Sequence, residues 1–162
     1  MKPIYGIDVT TDKKNKIYSG SEFITKTNRS QNDRCSGDLF FDSKGNNQAS
    51  LTSLVLSGQK TAFFTPLATY TINQEPIPIS GELYIVVDNN DEPVCVIETQ
   101  SIEIIPFEEI SWQMAKLEGE DNSFEEWKNK QIAIISDEGD ILGFEFSPDI
   151  RMVFQTFTVI YK

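Results

Sequence analysis

The sequence predicts an α+β domain built on a curled sheet, with a polar arm ahead of it. Three observations predict it. Leu51, Leu54 and Val55 make one helical face that Gly58 closes. The middle and the C-terminus are rich in β-branched and aromatic residues. Between those regions two helical stripes meet at a short acidic joint. The order arm, helix, strands, two helices, strands separates helices from strands, which is the α+β pattern. No internal repeat or heptad array competes with it.

Residues 1–46 form the expected arm, with turn signals at Tyr18-Ser19-Gly20, Ser36-Gly37-Asp38 and Lys44-Gly45-Asn46. Phe23-Ile24 and Phe40-Phe41 are short strands or packing anchors. Arg29 and Arg34 sit in a polar stretch that either touches phosphate or is a solvated loop. Residues 47–162 form the main domain. After the helix that Gly58 ends, Lys60 either complements the negative end of that helix or projects into a cleft. Thr61 to Thr65 then enters a strand that Pro66 limits.

Leu83-Tyr84-Ile85-Val86-Val87 is a short apolar run closed by Asp88-Asn89-Asn90-Asp91, and β-like residues continue from Pro93 to Pro106. Those two strands make a hairpin. Ile110, Met114 and Leu117 recur at helical spacing, and a second helical stripe carries Phe124, Trp127, Ile134 and Ile135. Ser123 followed three residues later by Glu126 is a capping box for the second helix. Gly143-Phe144-Glu145-Phe146 and the run from Met152 to Tyr161 are the closing strands.

Composition narrows the function. The chain has 162 residues, enough for one core without staples. Its 25 acidic against 14 basic residues give a formal charge of -11, which repels polyanions at long range. A broad basic face for DNA or RNA is therefore not expected, whereas a pocket with a few placed donors is compatible. No histidine occurs, so His-based triads, His general bases and a His/Cys zinc site are excluded. Cys35 and Cys95 stand 60 positions apart and are expected as free thiols. Met1-Lys2-Pro3-Ile4-Tyr5 has no apolar leader, and no apolar run approaches membrane-spanning length, so the expectation is a cytoplasmic protein. No metal and no cofactor is expected.

The candidate site lies at the joint. Gly119 gives the chain freedom to turn, and Glu118, Glu120 and Asp121 gather near the positive start of the second helix. The alternative is a set of helix-end charges in solvent. Over 98–126, nine carboxylates stand against Lys116 alone, a face suited to a basic protein partner or a weakly held cation.

Leu54-Val55-Leu56-Ser57-Gly58-Gln59-Lys60-Thr61-Ala62 resembles the helix-ending Gly-x-Lys motif of the ASCH domain family, relatives of the RNA-binding PUA-like barrels. Ile85 to Asp88, Pro93 to Thr99 and Ile105-Pro106-Phe107-Glu108-Glu109-Ile110 follow in the family's order. Glu118-Gly119-Glu120 with Ser123 and Trp127 keeps the family spacing, and residues 153–161 resemble its last strand. The resemblance covers about residues 40 to 162. It implies a small curled β-barrel flanked by helices, with a cleft in which the Gly-x-Lys motif faces the acidic joint. It further implies a ligand from the RNA, nucleoside or nucleotide class. Gly58, Lys60, Thr61, Thr65, Glu118 and Ser123 would line the cleft, with Lys60 and Glu120 at its centre.

One branch of the family resembles acetylcytidine amidohydrolases that use a lysine, a threonine three residues later and a glutamate. Lys60 and Glu120 match the first and last by position; Phe63 occupies the threonine position and offers no nucleophilic oxygen. Gln131 stands near the place where larger members carry a histidine. Three readings follow: a pocket for RNA, a nucleoside or a nucleotide; a hydrolase of a modified nucleoside or RNA in which Lys60 is base or nucleophile and Glu120 moves protons; and an acidic interaction module. Phe63, Phe64 and Trp127 stack a base in the first reading and belong to the core otherwise. Oligomeric state is left open.

Overall fold

The protein is described from a computed structural model, which covers residues 6–8, 35–41, 48–88, 90 and 92–162. The strands are β1 (Gly6–Asp8), β2 (Cys35–Phe40), β3 (Ala62–Pro66), β4 (Leu83–Val87), β5 (Pro93–Pro106) and β6 (Arg151–Tyr161). The helices are α1 (Gln48–Ser57), α2 (Leu67–Ile72), α3 (Trp112–Ala115) and α4 (Phe124–Leu142). The strands join one mixed sheet in the order β1-β2-β4-β5-β6-β3, with β2 and β4 parallel and every other pair antiparallel. β5 and β6 pair along almost their whole length, with register breaks at Val96/Ile97 and Thr99/Ser101. Such breaks bend and twist the strand that carries them, and the sheet curls into a partly open barrel.

Alternation along each strand sorts the core. Tyr84 and Val86 point into the barrel with Leu39, Phe41, Phe63, Cys95, Ile97 and Phe157, and Leu51 and Val55 of α1 close it. Leu83, Ile85 and Val87 point the other way onto Val96. A strand buried on both faces reads as an unbroken apolar run, which is why β4 shows no polar alternation. On the remaining face Phe64, Phe107, Ile110, Trp127, Ile135, Met152 and Phe154 pack β3 and β6 against α4.

The glycine at the end of α1 behaves as its sequence predicts. Gly58 has φ +81, and its N–H donates to Val55 O at 3.1 Å. The cation at that helix end is Lys162, whose Nζ donates to Leu56 O at 3.0 Å. Lys60 is thereby released for another role. The hairpin turn is organised by Asp88, whose carboxylate accepts from the N–H groups of Asn90 at 2.8 Å and Glu92 at 3.0 Å.

Two expectations are corrected. The helix over Ile110, Met114 and Leu117 is broken: Ile110 is extended (φ -69, ψ 127), and only Trp112–Ala115 is α-helical before a 3-10 turn over Lys116–Glu118. Ser111 takes the cap, accepting from Met114 N–H at 3.2 Å, so Ile110 packs into the core from outside the helix. The stretch Gly143 to Phe146 is no strand. α4 runs on to Leu142, Gly143 ends it with φ +95, and Phe144 and Phe146 fold back on the core below Trp127. Alternating apolar residues anchor an irregular segment as readily as a strand.

A third correction falls in the polar N-terminal part: Ser36-Gly37-Asp38 is no turn but lies within strand β2, where Gly37 and Asp38 pair with β4, and β2 is an inner member of the sheet. The turn signals at 18–20 and 44–46, the pair Phe23-Ile24 and the arginines at 29 and 34 lie outside the described residues. Among the described residues no helix is long and apolar enough to cross a membrane. Cys95 is a free, buried thiol that burial pushes up to about 12, against the pull of Lys162.

Candidate functional site

The joint is fixed from both sides by backbone. Thr61 N–H donates to Leu117 O at 2.9 Å, and Phe157 N–H donates to Thr61 O at 2.9 Å, so the residue after Lys60 is held between the joint and β6. Gln59 Nε2 donates to Gly119 O at 2.9 Å. Gly119 has φ +74, and a Cβ there would lie 2.5 Å from Gln59 O. Only glycine permits the approach.

Lys60, fully enclosed at 0% exposure, fills the gap so formed. Its ammonium donates to Glu120 Oε2 at 2.7 Å, to Ala62 O at 3.2 Å and to Glu118 at 3.4 Å through both Oε2 and the backbone carbonyl. Nζ also stands 5.2 Å from the centre of the Phe41 ring. Every proton of the ammonium has an acceptor.

Glu118 is 1% exposed. Its Oε1 accepts from Trp127 Nε1 at 2.6 Å and Gln131 Nε2 at 2.9 Å, leaving Oε2 toward Lys60. Burial pushes Glu118 up to about 7; Lys60 and the indole N–H oppose the rise, and Glu120 adds to it. Glu120 goes the other way. Burial alone would raise it, but the ammoniums of Lys60 and Lys130 hold it below the usual carboxylate range. Its Oε1 meets Lys130 at 3.2 Å, and Lys130 reaches Asp121 at 2.9 Å. The result is a charge lattice of two lysines and three carboxylates, dry at Lys60 and Glu118 and open at Lys130. Within it, two neighbouring carboxyls differ in proton affinity because one faces indole and amide and the other faces two cations.

Of the residues singled out in the sequence, Lys60, Glu118 and Glu120 meet. Thr61 lies beside them, but its N–H and hydroxyl both face Leu117 O. Ser123 accepts from Glu126 N–H at 3.2 Å as the cap of α4; the return bond from Glu126 lands on Asn122 N–H, also at 3.2 Å. Gly58 is exposed at the end of α1. Thr65 is buried with its hydroxyl on Tyr70 instead. Phe63 sits in the barrel interior with Phe41 and Phe157 at ring distances of 5.4 and 6.1 Å. Phe64 and Trp127 are both core, 5.3 Å apart. Gln131 and Lys130 were not foreseen as partners of the carboxylates. The signal was present: Trp127 and Gln131 are four apart on the α4 face that meets Glu118.

The chain matches the family model described as the ASCH domain over residues 37–161. It is similar to the crystal structure of a protein from Enterococcus faecalis V583, with TM-score 0.79 and 27% identity, covering 91% of this chain and 89% of that one. It is also similar to the crystal structure of an ASCH domain from Lactobacillus crispatus JV V101, with TM-score 0.72 and 29% identity, covering 76% of this chain and 78% of that one. No curated protein matches it. The chain belongs to the ASCH domain family.

Proposed function

We propose that this ASCH domain binds RNA, a nucleoside or a nucleotide at the joint, with Glu120 presenting its carboxylate to the ligand and Lys60 holding that carboxylate in place. ASCH domains are generally RNA-binding, which supplies the ligand class. The observation that carries the reading is the completely buried Lys60 clamped between two carboxylates. For stability alone such a lattice is a poor choice, because well-packed apolar residues in place of a buried ion pair are commonly neutral or better by ~1–4 kcal/mol. A charge lattice kept at a glycine-cut joint is more economically explained as a site. Glu120 keeps 10% of its side chain exposed, much as Asp121 does at 11%, and its carboxylate suits ribose hydroxyls or base amines.

Isothermal titration calorimetry with cytidine, cytidine monophosphate and a short single-stranded RNA tests it. Saturable heat with at least one of these, weakened about tenfold or more in Glu120→Gln through loss of a charge-assisted acceptor, is expected. Equal affinity in Glu120→Gln would contradict the assignment.

A hydrolase reading is favoured by Glu118, not by the Glu120 of the resemblance. Burial brings the Glu118 carboxyl up to about 7 at 3.4 Å from the Lys60 ammonium, the pairing proton transfer uses, while Glu120 is held low. Against it stand the saturated ammonium and Phe63, buried in the barrel where the amidohydrolase threonine would be. If the site is hydrolytic, Lys60→Met and Glu120→Gln each abolish release of acetate from acetylcytidine; full turnover in either variant rejects it.

A further inference from the structure

The sheet leaves β5 half-paired. β4 covers it only as far as Glu98. The chain just before β4 extends that cover by one residue: Gly81 N–H donates to Thr99 O and Thr99 N–H to Glu82 O, both at 2.8 Å. Ser80 Oγ then donates to Gln100 O at 2.8 Å. From Ser101 to Pro106 the strand pairs with β6, but among the described residues no backbone hydrogen bond reaches its other edge.

Register decides which groups that edge offers. Phe157 N–H donates to Thr61 O, so residues 153, 155 and 157 turn their backbone groups toward β3. Residues 152, 154 and 156 turn theirs toward β5, where they meet Ile105, Glu103 and Ser101. Phe107 N–H, which donates to Ile150 O at 2.8 Å, keeps the same alternation. The N–H and C=O groups of Ile102 and Ile104 therefore point away from β6. Side chains alternate as well. Ile102 and Ile104 stand on one face of the strand, and Ser101, Glu103 and Ile105 on the other. Glu103 is exposed, and Ile104 is 42% exposed.

A bare strand edge with exposed apolar side chains is a template for another strand, and proteins commonly blunt such edges with lysine, proline or a bulge. Here the bulge between Thr99 and Ser101 and the proline at 106 only bound the edge. No lysine stands between them.

We propose that β5 over residues 101–106 docks an extended segment of a basic partner protein, which adds a strand in line with β4 and alternates apolar with basic residues. Its backbone pairs with the outward N–H and C=O groups of Ile102 and Ile104. Its apolar side chains lie beside those two isoleucines, and its basic ones lie on the opposite face beside Glu103. Charge selects the partner. Residues 98–110 carry Glu98, Glu103, Glu108 and Glu109 and no lysine or arginine; Arg151, opposite Pro106 on β6, offsets one of them. A second copy of this chain is a poorer match, because two such edges bring the same carboxylates together and each copy carries -11. None of these residues belongs to the Lys60–Glu118–Glu120 lattice.

The test is an NMR titration of the full chain with an acetylated, amidated hexapeptide that alternates lysine and valine. The same peptide with glutamate in place of lysine is the control. In the free chain the N–H groups of Ile102 and Ile104 are expected to exchange quickly with heavy water, while those of Glu103 and Ile105 are protected by β6. The lysine peptide is expected to give saturable shifts at Ile102, Glu103 and Ile104 and to slow exchange at the two isoleucines; the glutamate peptide gives neither. Ile104→Pro removes an outward donor and spares the ladder with β6, so binding should weaken at least ~tenfold. Glu103→Lys should weaken it similarly, and serves if Ile104→Pro does not fold. Protection of Ile102 and Ile104 before peptide is added, unmoved amides over 101–106, equal binding of the glutamate peptide, or undiminished binding in both variants overturns the proposal. So does a dimer in sedimentation that either variant abolishes, which would assign the edge to a second copy.

Discussion

Lys60 shows at the scale of a single residue how far chemistry can be read from sequence. Its place after a helix-ending glycine marked it as unusual, and the pairing with Glu120 followed from motif order. The third member, Glu118, was placed in the cleft by the family resemblance, but nothing in the sequence showed that it would be buried against Lys60. Its partners Trp127 and Gln131 look like a core tryptophan and a surface amide until the fold puts them on one face. Removing the lysine leaves two buried carboxyls facing each other. Lys60→Met should therefore destabilise the protein by about 3–5 kcal/mol. The loss should be larger at alkaline pH, where Glu118 must ionise without its partner, and smaller near pH 5, where it holds a proton. Urea denaturation at both pH values checks this, and a pH-independent cost would contradict it.

Glu138 makes the companion case, because among the described residues no cation acts on its carboxyl. Its carboxyl binds a proton more tightly folded, at about 7, than at the ordinary 4.5. Between those values the native state holds more protons than the unfolded chain, so this contribution is complete below 4.5 and is lost as pH rises to about 7. Glu138→Gln should flatten the decline of stability across that window. An unchanged slope would place the carboxyl in contact with water.

The joint belongs to the scale of elements, and there the sequence was a mixed guide. The α4 cap was legible, because Ser123 and Glu126 act locally. The helix before it was misjudged, because periodicity at Ile110, Met114 and Leu117 reports only that one side is buried; extended and 3-10 backbone satisfy the same spacing when Ser111 restarts the chain. The run from 143 to 146 failed for a related reason, since Gly143 stops α4 and the phenylalanines after it are pulled inward without a neighbouring strand. Ser123→Ala should cost about 1 kcal/mol through loss of the cap and leave ligand affinity within twofold or so if Ser123 only caps. A large affinity loss with normal stability would instead put Ser123 in the ligand contact.

Two glycines give a sharper comparison. Gly143 and Gly119 both have positive φ, but a Cβ at Gly143 meets nothing within 4 Å and one at Gly119 meets Gln59 O at 2.5 Å. Gly143→Ala should cost about 1–2 kcal/mol from backbone strain alone. Gly119→Ala should cost more, push the joint off Gln59, and weaken nucleoside or RNA binding together with stability. Equal effects of the two substitutions in thermal melts would remove the close approach from the account.

For the molecule as a whole, the sequence revealed the class of the domain and most of its elements, but not helix α2 over Leu67–Ile72 or the sheet order. Nothing local shows that β2, from the polar N-terminal part, runs parallel beside β4 or that β3 pairs with the distant β6. Those are long-range choices made by the curl of β5 and β6 and by the need to cover both faces of β4. The family resemblance implied a small curled barrel but not its strand order. Net charge acts at this scale too. At -11 the chain has no long-range attraction for RNA, so recognition at the joint should depend only weakly on salt, unlike a basic RNA-binding face.

The most direct test of the central claim is an amide NMR titration of the full chain with a panel of cytidine, acetylcytidine, cytidine monophosphate and a short single-stranded RNA. Saturable shifts from at least one ligand are expected, centred on residues 58–62 and 118–123 and extending to Lys130 and Gln131. Silence across the panel, or shifts confined to residues away from the joint, would contradict it and reduce the Lys60–Glu118–Glu120 lattice to a structural clasp.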